Sequence, residues 1–343
     1  MENIPCGIAN LGNTCYLNAC IQILAELKPL HKILLQMDPL HITKVETKIW
    51  NHWREICSLL NKGSSTEGKQ ILYPRGFVES IQYISLHKNR PLFQNHDPED
   101  ITEFLIFFID SLHECLVRPM DISISGHSEN KTDNLAIEVY KRLKSTYEKD
   151  FSEISMIFGG VSISSIESLH FPVENYSLTP EIFYYLNLNL PNDSECTLYE
   201  CLDFYTAPEI LQGDNVWYNE KKKIYEGIRK SVFFWKFPDI LVICLNRLSF
   251  LRVQKNNCLV KYPMLLDLQN YVHGYNKMEF VYELKGVCNH IGTLQGGHYH
   301  SFVERNNKWY FCDDEIVQTV DNIEHLVNPH AYCLFYVKKN SSL

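Results

Sequence analysis

The chain has no excess of positive charge: 32 lysines and arginines stand against 41 aspartates and glutamates, a formal balance of −9. That sign argues against the basic footprint of a nucleic-acid binder. The one basic run of note, Lys221 to Lys223 beside Glu220, reads as a solvated turn. No stretch reaches the uninterrupted apolar length of a membrane span, and Met1-Glu2-Asn3 offers neither the positive start nor the apolar core of a signal peptide. The expectation is a cytoplasmic or nuclear protein that engages neither nucleic acid nor membrane. The twelve cysteines include no Cys-x-x-Cys pair; the closest spacings are Cys15 to Cys20 and Cys196 to Cys201. Zinc-ribbon geometry therefore has no support, and without a secretion signal most of the thiols are expected reduced in the core. Internal repeats and low-complexity tracts are missing as well.

What is present is a composition of 45% hydrophobic and 13% aromatic residues with 21% charged ones, enough to fold and bury a sizeable core. Leu17, Ile21, Leu24 and Leu27 recur at helical spacing, with Asn13 and Thr14 as cap candidates and Pro29 as the stop. A second helix is expected where Asp97 caps, Pro98 takes the first position, and Ile101, Phe104, Leu105, Phe108 and Leu112 form one apolar face. A polar loop spans roughly residues 117–132, followed by a helix through Leu135, Val139 and Leu143. After Gly159 and Gly160 the period falls to two, and Ile182 through Leu190 reads as one half-buried strand ended by Pro191. Thr197 to Glu200 fits a capping box, and strand-like segments follow at 231–237, 239–245, 279–288, 298–304, 308–312 and 331–337. Helices first and an antiparallel sheet second predict an α+β fold with a cleft between the halves.

Cys15 falls in the first turn of its helix, where backbone N–H groups and the partial positive charge favour a thiolate. Cys20, one turn further in, has no such help and reads as structural. A thiolate needs a base and a group to orient that base. His298 follows Gly296 and Gly297, which let a substrate backbone come close, and it opens a strand that pairs with Lys308 to Cys312. Asp313, at the end of that second strand, falls near the imidazole. Each residue alone also has a bland reading: a core thiol, a polar strand end, an Asp-Asp turn.

The combination goes further. The stretch Gly7-Ile8-Ala9-Asn10-Leu11-Gly12-Asn13-Thr14-Cys15-Tyr16-Leu17-Asn18 closely resembles the cysteine box of ubiquitin-specific proteases. Asn289-His290-Ile291-Gly292, Gly296-Gly297-His298-Tyr299, Trp309-Tyr310, Asp313-Asp314, Val317, Ala331-Tyr332 and Leu334-Phe335-Tyr336 resemble that family's histidine box and closing strand. Pro98 to Leu105 looks like its acidic helix. The resemblance implies a papain-like cysteine protease fold with a helical thumb, an antiparallel β palm and β fingers. It implies a single catalytic domain over 1–343, with the thumb at about 1–150, fingers at about 155–230 and palm at about 231–343. It implies hydrolysis after the C-terminal Gly-Gly of ubiquitin, with Cys15 as nucleophile, His298 as base, Asp313 as its orienting group and Asn10 as oxyanion donor. Asp100 and Glu103 match acidic positions that meet ubiquitin's arginine-bearing tail, and Gly297 and Tyr299 join them as substrate-binding candidates.

Departures from the family pattern are confined to particular places. Two Cys-x-x-Cys pairs usual in the fingers are missing from Ser162 to His170 and from Trp217 to Lys223. No cofactor and no metal are therefore expected: His170, Cys196 and Cys201 are the only soft ligands between Gly160 and Lys230, with both cysteines placed on one short helix. Phe183, Leu186, Leu188, Val216, Trp217 and Tyr218 are expected to supply the packing instead. Cys312 stands where an aromatic is usual, and Ile101 and Thr102 alter the acidic helix. The expected partners are ubiquitin, ubiquitinated proteins and an activating or targeting protein, since no sizeable extension beyond the domain is present to choose substrates. The competing readings are a protease for another ubiquitin-like modifier and an inactive ubiquitin-binding module.

Overall fold

The computed structural model describes residues 4–41, 43–62, 70–90, 93, 97–170, 175–220, 223–247, 254–293 and 296–339. Lys221 and Lys222 of the basic run lie outside them. Strand β1 (Gly7–Ile8) leads into helices α1 (Cys15–Leu24), α2 (Lys28–Gln36) and α3 (Thr47–Lys62), strand β2 (Ile71–Leu72), and helices α4 (Arg75–His87), α5 (Ile101–Leu116), α6 (Lys131–Tyr147) and α7 (Glu153–Phe158). Strands β3 (Gly160–Ser168), β4 (Asn175–Phe183), β5 (Leu186–Asn189) and β6 (Glu195–Thr197) follow, then helix α8 (Leu198–Thr206) and strands β7 (Glu209–Leu211), β8 (Trp217–Asn219), β9 (Ile224–Glu226) and β10 (Ile228–Lys236). The chain closes through β11 (Ile240–Asn246), β12 (Leu259–Lys261), β13 (Leu265–Asp267), β14 (Val281–Thr293), β15 (Gly296–Arg305), β16 (Lys308–Asp313), β17 (Ile316–Thr319) and β18 (Ala331–Lys338).

Helices and sheets segregate along the chain, giving the α+β architecture. The large sheet runs β17-β16-β15-β14-β18-β11-β5, with β13 also on β14. Its pairs are antiparallel except β5 on β11, which are parallel. A smaller antiparallel sheet, β4-β3-β10-β7, projects from it. Alternation along each strand sends one set of side chains to each face. One core joins helices α1 to α5 and α7 to the face carrying Val242, Cys244, Cys288 and Phe335. The other face buries Leu241, Ile243, Val287 and Leu334 against α8 and the strands around it.

The apolar face of α5 anchors the helical half. Phe108 lies edge-on to Trp53 at 5.1 Å and to Phe77 at 5.7 Å, and all three are fully buried. Aromatic packing of this kind adds about 0.5–1.5 kcal/mol per pair beyond the area it removes from water.

The expected helices form, with shifted ends. Pro29 does not end α1; it sits in the first turn of α2, where its missing N–H costs nothing. Asp97 and Pro98 do not open α5 either: Asp100 is the cap, accepting the N–H of Thr102 at 2.7 Å. The polar loop ends at Asn130, which caps α6. Residues 182–190 are two strands, because the chain leaves the small sheet at Phe183 and enters the large one at Leu186. The capping box at Thr197 and Glu200 is present and starts α8. Cys196 lies on β6, outside that helix.

At the tip of the small sheet, Val216 and Tyr218 stay exposed and supply little packing. A buried carboxylate pins the turn instead: Glu226 accepts from Ser168 Oγ at 2.9 Å and from Asn219 Nδ2 at 2.7 Å. Tyr218 and Tyr225 pack against each other at 5.0 Å on the outside. Glu226→Ala removes the carboxylate that these two buried donors share, so urea melts should report a loss of about 1–3 kcal/mol. A strong chelator should leave the melting temperature unchanged; a large drop on chelation would assign the tip's stability to an ion instead.

Candidate active site

The cysteine segment is held by a short parallel pairing of β1 with β2 and by the end of β16. Ile8 N–H donates to the carbonyl of Asp314 at 2.7 Å, and a side chain on Gly7 would collide with the backbone of Glu315. The chain then turns tightly. Asn10 Oδ1 accepts the N–H of Gly12 at 3.0 Å and of Thr14 at 3.1 Å, while Gly12 and Asn13 adopt positive φ, at 106° and 53°. Thr14 is the N-cap of α1 but makes no side-chain cap bond. Its hydroxyl accepts from Leu11 N–H, so the first N–H groups of α1 keep no helical partner. Cys15 is the first residue of this wholly buried helix.

The backbone N–H of Tyr299, the residue after His298, lies close enough to Cys15 to favour its thiolate. Burial pushes its thiol up from the ordinary range; the Tyr299 N–H pulls the other way, and the Asp314 carboxylate adds to the rise. At rest Cys15 is thus a thiol, and the pull of the helix terminus does not overcome desolvation. His298 Nε2 and Asp313 Oδ1 lie 2.5 Å apart, both half-exposed. With Nε2 committed, Nδ1 is the ring nitrogen left for the thiol.

Four of the predicted residues gather around the hairpin end: His298 pairs with Asp313, Asn10 bonds to the adjacent Asp314, and Cys15 lies near enough to Asp314 and Tyr299 to feel both. A fifth, Asp314, stood in the sequence motif only as a stand-in for Asp313, and its actual partners were not foreseen. At φ 47° it turns its carboxylate back from the hairpin end, taking Asn10 Nδ2 at 2.9 Å on one oxygen and Asn18 Nδ2 at 2.7 Å on the other. The Asp-Asp pair was visible, but the partners of the second aspartate lie about three hundred residues away.

A cavity of about 140 Å³ opens beside Cys15, lined by Tyr16, Glu99, Asp100, His290, Gly297 and Tyr299. Asp100 is less available than its sequence context promised. One oxygen caps α5 and the other accepts the hydroxyl of Tyr332 at 2.7 Å, with Tyr299 OH at 3.5 Å. Glu103 remains on the surface beside it. Burial and then the charges of Asp100 and Glu99 raise its carboxyl, the signature of a negative rim. Gly297 has a structural reason for lacking a side chain: a Cβ there would lie 2.3 Å from the carbonyl of Ile291 and 2.4 Å from His290 Nε2. Tyr299 is buried, with its ring 4.6 Å from that of His290. A larger cavity, about 660 Å³, flanks the other side of α5 beneath Tyr184, Tyr185 and Tyr205.

Among the described residues, His298, Asp313 and Asp314 are the one group of such side chains close enough to share a metal ion, their ligand atoms lying within 4.8 Å of one another. The same atoms already bond to each other, to Asn10 and to Asn18. Away from the site, Cys196 sits 3.6 Å from Cys201 and 3.6 Å from Cys258, a third thiol that the sequence spacing gave no reason to expect.

Comparison with known proteins agrees with this geometry. The pattern that defines the family described as "Ubiquitin carboxyl-terminal hydrolase" matches residues 6–336. The chain is 30% identical to "Ubiquitin carboxyl-terminal hydrolase Usp2" of Drosophila melanogaster, over 96% of this chain and 34% of that one. It is 29% identical to "Ubiquitin carboxyl-terminal hydrolase 16" of Arabidopsis thaliana, over 98% of this chain and 31% of that one. It therefore spans about a third of the length of these curated relatives. Among solved structures, the SAGA Ubp8/Sgf11/Sus1/Sgf73 DUB module bound to ubiquitin aldehyde shares the fold, with a TM-score of 0.73 at 21% identity over 99% of this chain and 71% of that one. With the family pattern covering nearly the whole chain and Cys15 brought to the His298 strand, this chain belongs to the ubiquitin carboxyl-terminal hydrolase family.

Proposed function

We propose that the protein is a cysteine-type deubiquitinase that hydrolyses the isopeptide or peptide bond after the C-terminal Gly-Gly of ubiquitin. The observation that carries this reading is the placement of Cys15 against β15, whose His298 pairs with Asp313 at the end of β16, beside an acid-rimmed cavity. Cys15 loses its proton to His298 Nδ1 and its sulfur attacks the carbonyl carbon of the terminal glycine. The charge that develops on the carbonyl oxygen is met by the Nδ2–H group of Asn10 and by the N–H groups opening α1, which already act on the Cys15 sulfur. Collapse expels the amine with the proton from His298; water then cleaves the thioester with His298 as base. Asp313 holds the imidazole by Nε2, and Asp314 holds Asn10 in place.

The negative rim of Glu99, Asp100 and Glu103 suits a basic tail, with Glu103 the available carboxylate and Asp100 acting through Tyr299. The whole chain is read as one catalytic unit, with the helices, the small sheet and the large sheet in the roles of thumb, fingers and palm. Its partners are ubiquitin and ubiquitinated proteins, in the cytoplasm or nucleus. The structural relative is a multi-subunit module bound to ubiquitin aldehyde, and the resting thiol here leaves work for an activating protein.

On a fluorogenic ubiquitin C-terminal substrate, Cys15→Ala and His298→Ala should abolish turnover while the fold and ubiquitin binding persist. Near-normal turnover in Cys15→Ala, or a dead Cys20→Ala beside it, would remove Cys15 from the role. Asn10→Ala should lower kcat on the order of a hundredfold with KM little changed, as expected for a donor used only in the transition state. A defect confined to KM would make Asn10 structural. Because burial favours the neutral thiol, alkylation of Cys15 by iodoacetamide should rise with pH through a midpoint above that of an exposed cysteine. A midpoint on the acid side would contradict a protonated resting state.

A further inference from the structure

Lys255 is a buried lysine, 9% exposed, whose ammonium donates to the backbone carbonyl of His290. That carbonyl has a particular place in the sheet. Strand β14 pairs with β18 as far as Asn289 opposite Ala331, where a register shift passes over Tyr332. Beyond it, His290 N–H still reaches the carbonyl of His330 at 2.9 Å, but the ladder has run out. The N–H and C=O of one strand residue point to the same side, so the His290 carbonyl faces the place where the next rung of β18 would stand. Lys255 fills that place.

The segment carrying Lys255 is bolted to the same strand end. Arg247, 1% exposed, donates to the carbonyls of Ala331 at 2.6 Å, Asn256 at 3.0 Å and Cys258 at 2.7 Å. Two cations are therefore buried side by side. Desolvation, and then Arg247, brings the Lys255 amine down to about 8. Burying a charge costs several kcal/mol unless its partners recover it, and a neutral side chain would suffice to plug a gap in the core. Here the charge is spent at a strand end that lines the cleft: the His290 ring packs against Tyr299 at 4.6 Å and Tyr332 at 5.9 Å, and His290 and Tyr299 line the same cavity as Cys15. Burial and then the Lys255 charge also hold His290 near a pKa of about 4, so it stays neutral beside His298.

We infer that Lys255 is a positioning residue for hydrolysis: by holding the His290 carbonyl it fixes the β14–β15 hairpin end that presents Tyr299 and His298 to Cys15. The inference rests on the deubiquitinase reading above. Lys255→Met keeps the apolar stem and removes the donors. It should lower kcat on fluorogenic ubiquitin about tenfold or more, with KM within about twofold, because the lost contact acts on the reacting groups and leaves ubiquitin's surface contacts alone. Lys255→Arg should restore most of that loss, which a side chain serving only as filler would not predict. Should Lys255→Met fail to fold, Lys255→Leu, which also has no donor, carries the same comparison. Unchanged kcat in the folded variant, or a defect only in KM, overturns the inference. If the wild-type chain does not act on ubiquitin at all, the functional reading fails on its own. The iodoacetamide rate of Cys15 then decides the role of Lys255: a several-fold change in Lys255→Met upholds it, and an unchanged rate overturns it.

Discussion

The site depends on one residue that touches none of the reacting atoms directly. Asp314 joins the end of the histidine hairpin to the cysteine segment three times: its carbonyl takes Ile8 N–H, and its two carboxylate oxygens take Asn10 and Asn18. Those bonds draw together segments that lie at opposite ends of the chain. Charge-assisted bonds to a carboxylate are stronger than neutral ones, and the left-handed conformation of Asp314 aims it. Gly7 is part of the same constraint, since only a residue without a side chain lets β1 lie against Glu315. Without this junction α1 would still pack on β15, but the turn that carries Asn10 would lose its hold on the hairpin end.

The resting chemistry follows from where that junction leaves the thiol. Cys15 is buried at the start of a buried helix, so desolvation outweighs the helix terminus and the Tyr299 N–H, and the neutral form wins. Asp314 makes the same contribution in sign, because the carboxylate that builds the site also opposes a thiolate beside it. Stability and reactivity are thus set against each other at one position.

Much of this was legible in the sequence. The periodicity of Leu17, Ile21 and Leu24 found α1, and the pairing of the His298 strand with the segment from Lys308 brought Asp313 to the imidazole, although that strand begins earlier, at Gly296. What stayed hidden was set by tertiary contacts that no local pattern carries. Asp97 and Pro98 made a good helix start, but Asp100 is the residue held in place by Tyr332 and Thr102, so the helix begins later. Tyr332 reaches Asp100 where the register shifts at the end of β18, an irregularity with no sequence signature. The run from Ile182 to Leu190 alternates throughout, yet it changes sheets at Tyr184, since periodicity does not say which neighbour a strand will find. Cys258 joining Cys196 and Cys201, and Lys255 capping His290, are likewise meetings between distant segments.

Of the twelve cysteines, Cys15 is the one proposed as nucleophile toward a ubiquitin tail. The most direct measurement is to react the wild-type protein with ubiquitin bearing an electrophile at its C-terminus, alongside related modifiers bearing the same group, and to map the adduct by peptide mass. The account predicts a single adduct on Cys15 formed with ubiquitin in preference to its relatives. An adduct on any other cysteine, or none while the relatives react, would contradict it.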